Sequence, residues 1–336
     1  TSRFLPRGCP GASSASFGDV MFVLLILVGV YVGWNIGAND TANCMGIPVG
    51  SGLISYRKMI YLVAIFVVLG ALLQSHQVME TIGKDVALNP LNMKAVFIAM
   101  LSAGIFVTAA TFFKVPVSTS QAIVGGVIGA ALGMGSKVDL GQVVTIAEVW
   151  VLNPPLTALL SFCLYHILAF FLKRVKLVFL WDRILSYLVI ASGGYVAFSL
   201  GANTVGTSVG PLAALGIDKT WLALLAGAAV SAGTLTYGKK VTETVGKGIT
   251  SLDPLSAVAA QLSAAGAVNF FANIGIPVST SQAIVGAVIG VGLVKGAKTV
   301  SLGKINKIVI GWVASPTAAA LFSFGLYRGF EVIGLF

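Results

Sequence analysis

The chain of 336 residues is 57% apolar and only 10% charged, and its mean hydropathy is +0.96. Soluble globular domains carry about 25% charged residues, so this composition excludes an ordinary soluble domain and indicates a polytopic membrane protein. The net charge of +10 does not indicate a nucleic-acid partner, because most lysines and arginines lie in short connections between apolar runs, where topology signals collect.

The first segment, residues 1–18, reads TSRFLPRGCPGASSASFG. It has neither an initiator methionine nor a long apolar run. We interpret it as a leader or a cloning remnant and exclude it from the reasoning about the fold.

Ten apolar runs follow, and roughly 20 helical residues are needed to cross a hydrocarbon core of about 30 Å. The fourth and ninth runs are too short, so we expect broken or re-entrant helices there. The fifth run carries Asn153, Pro154 and Pro155 near its middle, and we expect it to tilt strongly or to break at the prolines. The runs span approximately residues 20–36, 59–79, 94–113, 122–135, 143–172, 184–200, 220–237, 255–273, 283–296 and 305–330.

The chain repeats itself after about 160 residues. PVSTSQAIVG occupies 116–125 and, without a substitution, 277–286. WNIGAND and ETIGK in the first half are matched by FSLGANT and ETVGK in the second, and Trp150 is matched by Trp312. Each half holds five runs, and an odd number of crossings turns the second copy upside down relative to the first. The sequence therefore predicts an all-α membrane protein with two inverted repeats of about five to six transmembrane or broken helices each.

The repeats are expected at residues 19–172 and 184–336, separated by a basic connector at 173–183. If each run crosses the membrane once and both termini lie outside, most of the 21 basic residues fall in cytoplasmic connections. This division agrees with the positive-inside rule and predicts that the connector is cytoplasmic.

Residues 118–121 and 279–282, the two Ser-Thr-Ser-Gln segments, are typical of helix starts, with a serine as N-cap and a glutamine three residues later. One interpretation is that they only cap helices. Capping does not require three hydroxyls and an amide, however, and exposing them at membrane depth is costly unless they face a cavity or a ligand. Helix N-termini favour oxyanions. We therefore predict that both segments face one tetrahedral anion. Its predicted ligands are Ser118, Thr119, Ser120, Gln121, Ser279, Thr280, Ser281 and Gln282.

The second repeated motif is GANDTANCMG at 37–46, matched by GANTVGTSVG at 201–210. Gly37 and Gly201 permit a break in their helices. A turn rich in glycine and asparagine is the alternative interpretation. Hard oxygen ligands with a single carboxylate suit a monovalent cation such as Na⁺ better than Ca²⁺. The oxygen-bearing side chains of the two motifs are those of Asn39, Asp40, Asn43, Asn203 and Thr207.

Neither motif contains a lysine or arginine, so dipoles alone would have to hold a multiply charged anion. Bound sodium would supply the missing positive charge. Each ligand would then stabilise the binding of the other, which is what symport requires.

GANDTAN together with two PVSTSQAIVG segments resembles the inorganic phosphate transporter family, which includes sodium-phosphate symporters and retroviral receptors. The resemblance covers about residues 20–330. It implies a multi-pass, sodium-coupled symporter of inorganic phosphate in a cell membrane, with an inverted-repeat core of about twelve helices, assembled as a homodimer and without an organic cofactor. The homodimer is implied by the resemblance alone.

The resemblance and the motifs together give two predicted sets of ligands. Many relatives repeat GANDVAN where this chain has GANTVGT, so Thr204 and Thr207 replace an acid and an amide, and two symmetric sodium sites are not expected. Glu148 has no acidic counterpart and is either a further sodium ligand or an interfacial residue. The phosphate set is Asp40, Asn43, Ser118, Thr119, Ser120, Gln121, Thr207, Ser279, Thr280, Ser281 and Gln282. The sodium set is Asn39, Asp40, Asn43, Ser118, Asn203, Ser279 and Glu148.

Three other functions are alternatives to this one. A proton-coupled or sulfate-selective transporter of the same fold would use the same groups, since Asp40 can carry a proton and sulfate is also tetrahedral. An anion channel could also be ringed by hydroxyls and helix ends. An enzyme is not expected, because no histidine or aspartate is placed by sequence to activate a serine.

Overall fold

The structure is a computed structural model that describes residues 17–50, 54–112, 117–174, 178–238, 252–296 and 302–334. Within these ranges only the backbone is described at Phe17, Ala42, Asn43, Ile47, Gly50, Val178 and 302–308. The described residues form α-helices, two π-helical turns and the connections between them, with one isolated bridge between Ala87 and Val138.

The first half contains seven α-helices in its described part, with one π-helical turn, Thr81–Asp85, after the fourth. They are α1 (Phe17–Asn39), α2 (Thr41–Gly50), α3 (Tyr56–Gln74), α4 (His76–Glu80), α5 (Met93–Phe112), α6 (Thr119–Gly133) and α7 (Leu140–Leu172). The second half contains six in its described part, with a π-helical turn, Gly201–Val205, after the first. They are α8 (Val178–Leu200), α9 (Gly206–Ala213), α10 (Lys219–Thr236), α11 (Pro254–Asn273), α12 (Thr280–Val294) and α13 (Leu302–Val332).

Seven stretches of helix in the described residues are long and apolar enough to cross a membrane. The chain is therefore a multi-pass membrane protein, as its composition predicts. α6 and α12, which follow the two PVSTSQ copies, have 15 residues each. At about 1.5 Å per residue they are too short to span a bilayer, so the predicted short helices are confirmed and a re-entrant course stays a prediction.

The fifth run does not break. α7 continues for 33 residues through Pro154 and Pro155, and α13 continues for 31 residues through Pro316. Of the two predicted alternatives, a break at the prolines does not occur, and a strong tilt stays a prediction. Proline removes only its own N–H, and at membrane depth no water competes for the rest of the helical ladder, so the helix can persist. α8 begins at Val178, inside the predicted connector 173–183.

The helices of the two halves pack in a repeated pattern. α1 packs on α10 as α8 packs on α3, and α6 packs on α13 as α12 packs on α7. The crossings use equivalent glycines. A Cβ on Gly37 would lie 1.9 Å from the carbonyl oxygen of Val230, and a Cβ on Gly201 would lie 2.0 Å from that of Val67. Both distances are impossible for a side chain, so these glycines permit close contact between helix backbones.

Equivalent helices of the two halves run in opposite directions. The Tyr56 hydroxyl, at the start of α3, donates to the carbonyl of Thr234 at the end of α10 (3.2 Å). Lys219, at the start of α10, pairs with Glu80, beyond the end of α3 (3.1 Å). α3 and its counterpart α10 are therefore antiparallel.

The same relation holds for α1 and its counterpart α8. Along α1, Gly33 and then Gly37 meet successively later residues of α10, so these two helices are parallel. Along α8, Gly194 and then Gly201 meet successively later residues of α3, so that pair is also parallel. Because α3 and α10 oppose each other, α1 and α8 do so too. This is the arrangement that an inverted repeat requires.

Candidate functional site

Asp40 occupies the turn between α1 and α2 and is 2% exposed. Its Oδ2 accepts a hydrogen bond from the Thr119 hydroxyl at the start of α6. Its Oδ1 has no hydrogen-bond partner among the described residues. A buried carboxylate oxygen without a partner is costly, so Oδ1 is a candidate ligand for a cation or a proton.

The break that Gly37 permits does not occur at Gly37 itself. α1 runs through Gly37 without a break, and the Asp40 N–H still bonds the carbonyl of Ile36 at 2.8 Å. The Thr41 hydroxyl donates to the carbonyl of Gly37 at 2.5 Å. The helix is interrupted only at Asp40. In the second half, Gly201 opens a π-helical turn that continues into α9, so neither glycine breaks its helix.

The predicted N-caps are confirmed in both copies. The Ser118 hydroxyl accepts from the N–H of Gln121 at 3.3 Å, and the Ser279 hydroxyl accepts from the N–H of Gln282 at 3.2 Å. Each cap uses one serine of its segment. The sequence also predicts that the glutamine three residues later completes a capping box, and this is wrong, because the Oε1 of Gln121 and of Gln282 accepts no hydrogen bond within the described residues. The remaining side chains are not consumed by capping: Thr119, Ser120 and Thr280 are buried, and Ser281 is half-buried.

The two glutamines of these segments share an unusual feature. Gln121 and Gln282 are each 2% exposed, and the Oε1 of each lacks a hydrogen-bond partner in the described part of the chain. These oxygens are acceptors, as is Asp40 Oδ1, so they cannot satisfy one another. Carboxylate and amide oxygens turned inward without donors are the type of ligand that a hard cation prefers.

The second half places a hydroxyl where the first has a carboxylate. Thr204 is the counterpart of Asp40, and its Oγ1 lies 3.5 Å from the Oγ1 of Thr280, the counterpart of Thr119. The two pairs thus form the same contact between the end of a long helix and the start of a short one. Only the first pair carries a charge.

Asn203 holds the segment before α12 in place. Its Nδ2 donates to the carbonyl of Val278 at 2.7 Å, and its Oδ1 accepts from the Val278 N–H at 3.0 Å. The amide nitrogen and the amide oxygen of Asn203, a predicted sodium ligand, therefore both hold the backbone next to Ser279. Thr207, also a predicted ligand, donates to the carbonyl of Asn203 at 2.8 Å.

Two further predicted ligands lie apart from these contacts, and one cannot be placed. The Asn39 Nδ2 donates to the Thr111 hydroxyl at 2.6 Å, and the residue is half-buried. Glu148 is exposed on α7, so the structure does not place it in the buried cluster. The side chain of Asn43 lies outside the described residues.

Sequence reasoning missed the role of Asn153. This residue of α7 is fully buried, its Nδ2 donates to the carbonyl of Ser279 at 3.2 Å, and its Oδ1 has no partner among the described groups. Three residues earlier, Trp150 Nε1 donates to the carbonyl of Pro277 at 2.9 Å. An amide inside an apolar run, beside the matched Trp150 and Trp312, was the available signal.

Ser102 of α5 and Ser263 of α11 were also missed. They are equivalent positions of the two repeats, and both have a buried hydroxyl without a partner in the described structure. The signal that could have found them is their separation, which matches that of the two PVSTSQ copies.

The two halves exchange contacts around these residues. α6 packs against α9 of the other half, and α12 packs against α2. The described residues contain no group of three His, Cys, Asp or Glu that could hold a metal ion. A cation here would therefore be held by one carboxylate with amide, hydroxyl or carbonyl oxygens, which suits a monovalent ion.

Comparison with known proteins places this geometry in context. Residues 36–323 match a family model described as "Phosphate transporter family". A Methanocaldococcus jannaschii protein provisionally named a phosphate permease is 31% identical over 314 residues, which cover 92% of this chain and 98% of that protein. "Inorganic phosphate transporter 2-1, chloroplastic" of Arabidopsis thaliana is 27% identical over 410 residues, covering 88% of this chain and 70% of the relative. A solved structure described as "The sodium-dependent phosphate transporter" matches with a TM-score of 0.86 and 26% identity, covering 94% of this chain and 100% of the other.

Proposed function

The chain belongs to the phosphate transporter family, and on that premise we propose that it couples the inward movement of sodium to the transport of inorganic phosphate across a cell membrane. Family membership and the membrane-spanning helices establish the coarser function, phosphate transport. The coupling ion and the ligand sets are our proposal.

The observation that carries the proposal is the buried carboxylate of Asp40, with Oδ2 held by Thr119 and Oδ1 without a partner among the described residues. Thr119 belongs to the same helix start as the hydroxyl of Ser120. A cation bound at Oδ1 would thus lie next to an N-terminus that favours an anion. The name of the similar solved structure, a sodium-dependent phosphate transporter, supports sodium as that cation.

Coupling follows from the electrostatics of this arrangement. An anion brought next to a buried, negatively charged Asp40 would be repelled, because charges at low dielectric interact strongly. Sodium at Oδ1 neutralises Asp40 and attracts the phosphate. Sodium therefore raises the affinity for phosphate, and by linkage phosphate raises the affinity for sodium to the same degree.

Proton coupling is the second candidate, and the same atom supports it. A proton on Asp40 Oδ1 would also neutralise the carboxylate, although a protonated oxygen would still need an acceptor for its O–H. Selectivity for sulfate over phosphate and conduction as an anion channel are further outcomes that the experiment must distinguish.

The test is uptake of labelled phosphate into proteoliposomes, with the sodium gradient, the proton gradient and excess sulfate varied separately. We expect accumulation against a gradient that requires sodium, persists when the pH gradient is collapsed, and resists competition by sulfate. Uptake driven by protons alone would transfer the role of coupling ion to the proton. Equilibration without accumulation would indicate a channel.

A further inference from the structure

We propose that the end of the molecule where α7 passes into α8 binds the headgroup of an anionic phospholipid through Arg174 and Arg183. Leu172 near the end of α7, Leu185 near the start of α8 and Leu255 at the start of α11 pack together in one buried cluster. Three helix ends therefore lie side by side, and the two arginines emerge at the same end of the helical bundle.

Both arginines are held against exposed aromatic rings. The Arg174 Cζ lies 4.3 Å from the ring centroid of Phe170, and the Arg183 Cζ lies 4.8 Å from that of Phe179. Phe170 is 57% exposed and Phe179 is 72% exposed. Exposed phenylalanines near the ends of membrane helices suit contact with acyl chains, and stacking leaves the N–H edges of each guanidinium available for other partners. The arginines are therefore held at an apolar-polar boundary.

Their charge is also uncompensated by ion pairs. In the part of the chain that the structure describes, no ion pair joins Arg174 or Arg183 to a carboxylate. Lys173 beside them is exposed, and the acidic residue of this segment, Asp182, is exposed as well. Among the described residues of 173–183, two arginines and a lysine face one aspartate, so this surface is positive.

Arg328 near the end of α13 provides a contrast within the chain. Its Nη1 pairs with Glu331 at 2.8 Å, and its Cζ is 5.9 Å from the ring of Phe324. Its charge is already compensated and its stacking is looser. An arginine at the end of a membrane helix is thus not by itself a lipid site; the α7–α8 end differs in its open charge and its close aromatic contacts.

These features favour a lipid over a free anion. A guanidinium can donate two hydrogen bonds to a phosphate diester, and the acyl chains below that phosphate can cover the exposed phenyl rings. Inorganic phosphate would satisfy the guanidinium but leave the rings uncovered. Phosphatidylcholine carries a cation that offsets its phosphate, so an anionic lipid should bind more strongly.

The experiment is a native mass-spectrometric titration of the full chain in detergent with dioleoylphosphatidylglycerol, and in parallel with dioleoylphosphatidylcholine. We expect preferential binding of phosphatidylglycerol. Removing both charges in Arg174→Gln/Arg183→Gln should weaken that binding by about 30-fold, given the typical contribution of two basic residues at an anionic surface. The control Arg328→Gln should bind phosphatidylglycerol like the wild type.

Several outcomes would overturn the proposal: equal binding of the two lipids, unchanged phosphatidylglycerol binding in the double variant, or an equal loss in Arg328→Gln. Displacement of phosphatidylglycerol by millimolar inorganic phosphate would assign the surface to the free anion instead. A melting temperature measured for each variant identifies misfolding. If the double variant misfolds, Arg183→Gln is titrated alone, and wild-type affinity in that variant would reject the role of Arg183.

Discussion

At the scale of single residues, Asp40 distinguishes the buried contact of the first half from that of the second. Its counterpart is Thr204, so the contact between long and short helix carries a charge in the first half and only hydroxyls in the second. A carboxylate can hold a buried cation far more strongly than a hydroxyl can. We therefore expect the site around Asp40 to control sodium dependence, and the site around Thr204 to contribute mainly to the anion.

Asp40→Asn should impair sodium coupling more than folding. The amide can still accept from Thr119, and removing a buried charge also removes its desolvation cost. Losing a charge-assisted contact of about 1.5–3 kcal/mol should weaken sodium affinity by about 10- to 100-fold. Sodium titrations of phosphate uptake and of melting temperature measure this change.

Thr119→Val is the matched variant, because it removes the donor to Oδ2 and keeps the charge. It should leave sodium affinity closer to that of the wild type than Asp40→Asn does. If Asp40→Asn accumulates phosphate with unchanged sodium dependence, Asp40 does not belong to the sodium site.

Substitutions of the serines can distinguish helix capping from phosphate binding. Ser120→Ala and Ser281→Ala should each weaken phosphate affinity by about 10- to 100-fold, because each would remove one hydrogen bond to a charged ligand. Ser118 and Ser279 are the observed caps. Ser118→Ala should therefore lower stability by about 1 kcal/mol.

Phosphate affinity and melting temperature, measured on the same purified variants, distinguish these effects. A lower melting temperature with unchanged phosphate affinity in Ser120→Ala and Ser281→Ala would show that both segments act only as helix caps. The identical sequences of the two segments could then not be explained by a shared anion.

At the level of elements, close helix crossings determine where the site residues lie. α1 reaches Asp40 only after passing α10 at Gly37, and α8 reaches Thr204 only after passing α3 at Gly201. Backbone carbonyls occupy the space that a side chain would need at both crossings. The glycines that permit a helix break therefore allow two unbroken helices to cross closely instead.

Gly37→Ala should destabilise the protein by about 1–3 kcal/mol or more, because the added Cβ would lie 1.9 Å from a backbone oxygen and α1 would have to separate from α10. Gly266→Ala in α11 is the control, since nothing lies within 4 Å of its added Cβ. The control should be neutral or slightly stabilising, because alanine favours helices over glycine.

The two variants are compared by their melting temperatures in detergent and by their rates of phosphate uptake. Equal melting temperatures for Gly37→Ala and Gly266→Ala would show that the crossing at Gly37 tolerates a side chain. The role of Gly37 in positioning Asp40 would then have to be abandoned.

At the level of the whole molecule, the antiparallel repeats give the two ends of the helical bundle different charges. α3 and α8 are parallel, so their first residues face the same end, where Arg57, Lys58 and Arg183 are exposed. At the opposite end, Lys84 and Lys219 both pair with Glu80. The end that contains the start of α8 is thus the more positive, and by the positive-inside rule it should be cytoplasmic.

This predicts that the 173–183 connector faces the cytoplasm and that both termini face outside. A cysteine at Lys173 should resist a membrane-impermeant maleimide in intact cells and react after permeabilisation, whereas a cysteine at Lys137 should react from outside. Both variants need a background in which Cys9 and the exposed Cys163 are replaced, since Cys44 is buried. Efficient labelling at position 173 from outside would reverse the assigned orientation.

The membrane class, the repeated unit, the two short helices and their serine caps can all be predicted from the amino-acid sequence. Hydropathy, matched segments and Ser-x-x-Gln spacing are local signals, and local hydrogen bonds satisfy them wherever the helices lie. Three contacts are visible in the tertiary structure and not in the sequence. They are the hydrogen bonds of Thr119 with Asp40, 79 positions apart, of Asn203 with Val278, and of Asn153 with Ser279. Each contact depends on how helices distant in sequence cross, and the crossings depend on backbone approach at glycines such as Gly37, whose packing role cannot be distinguished from a helix break by spacing alone.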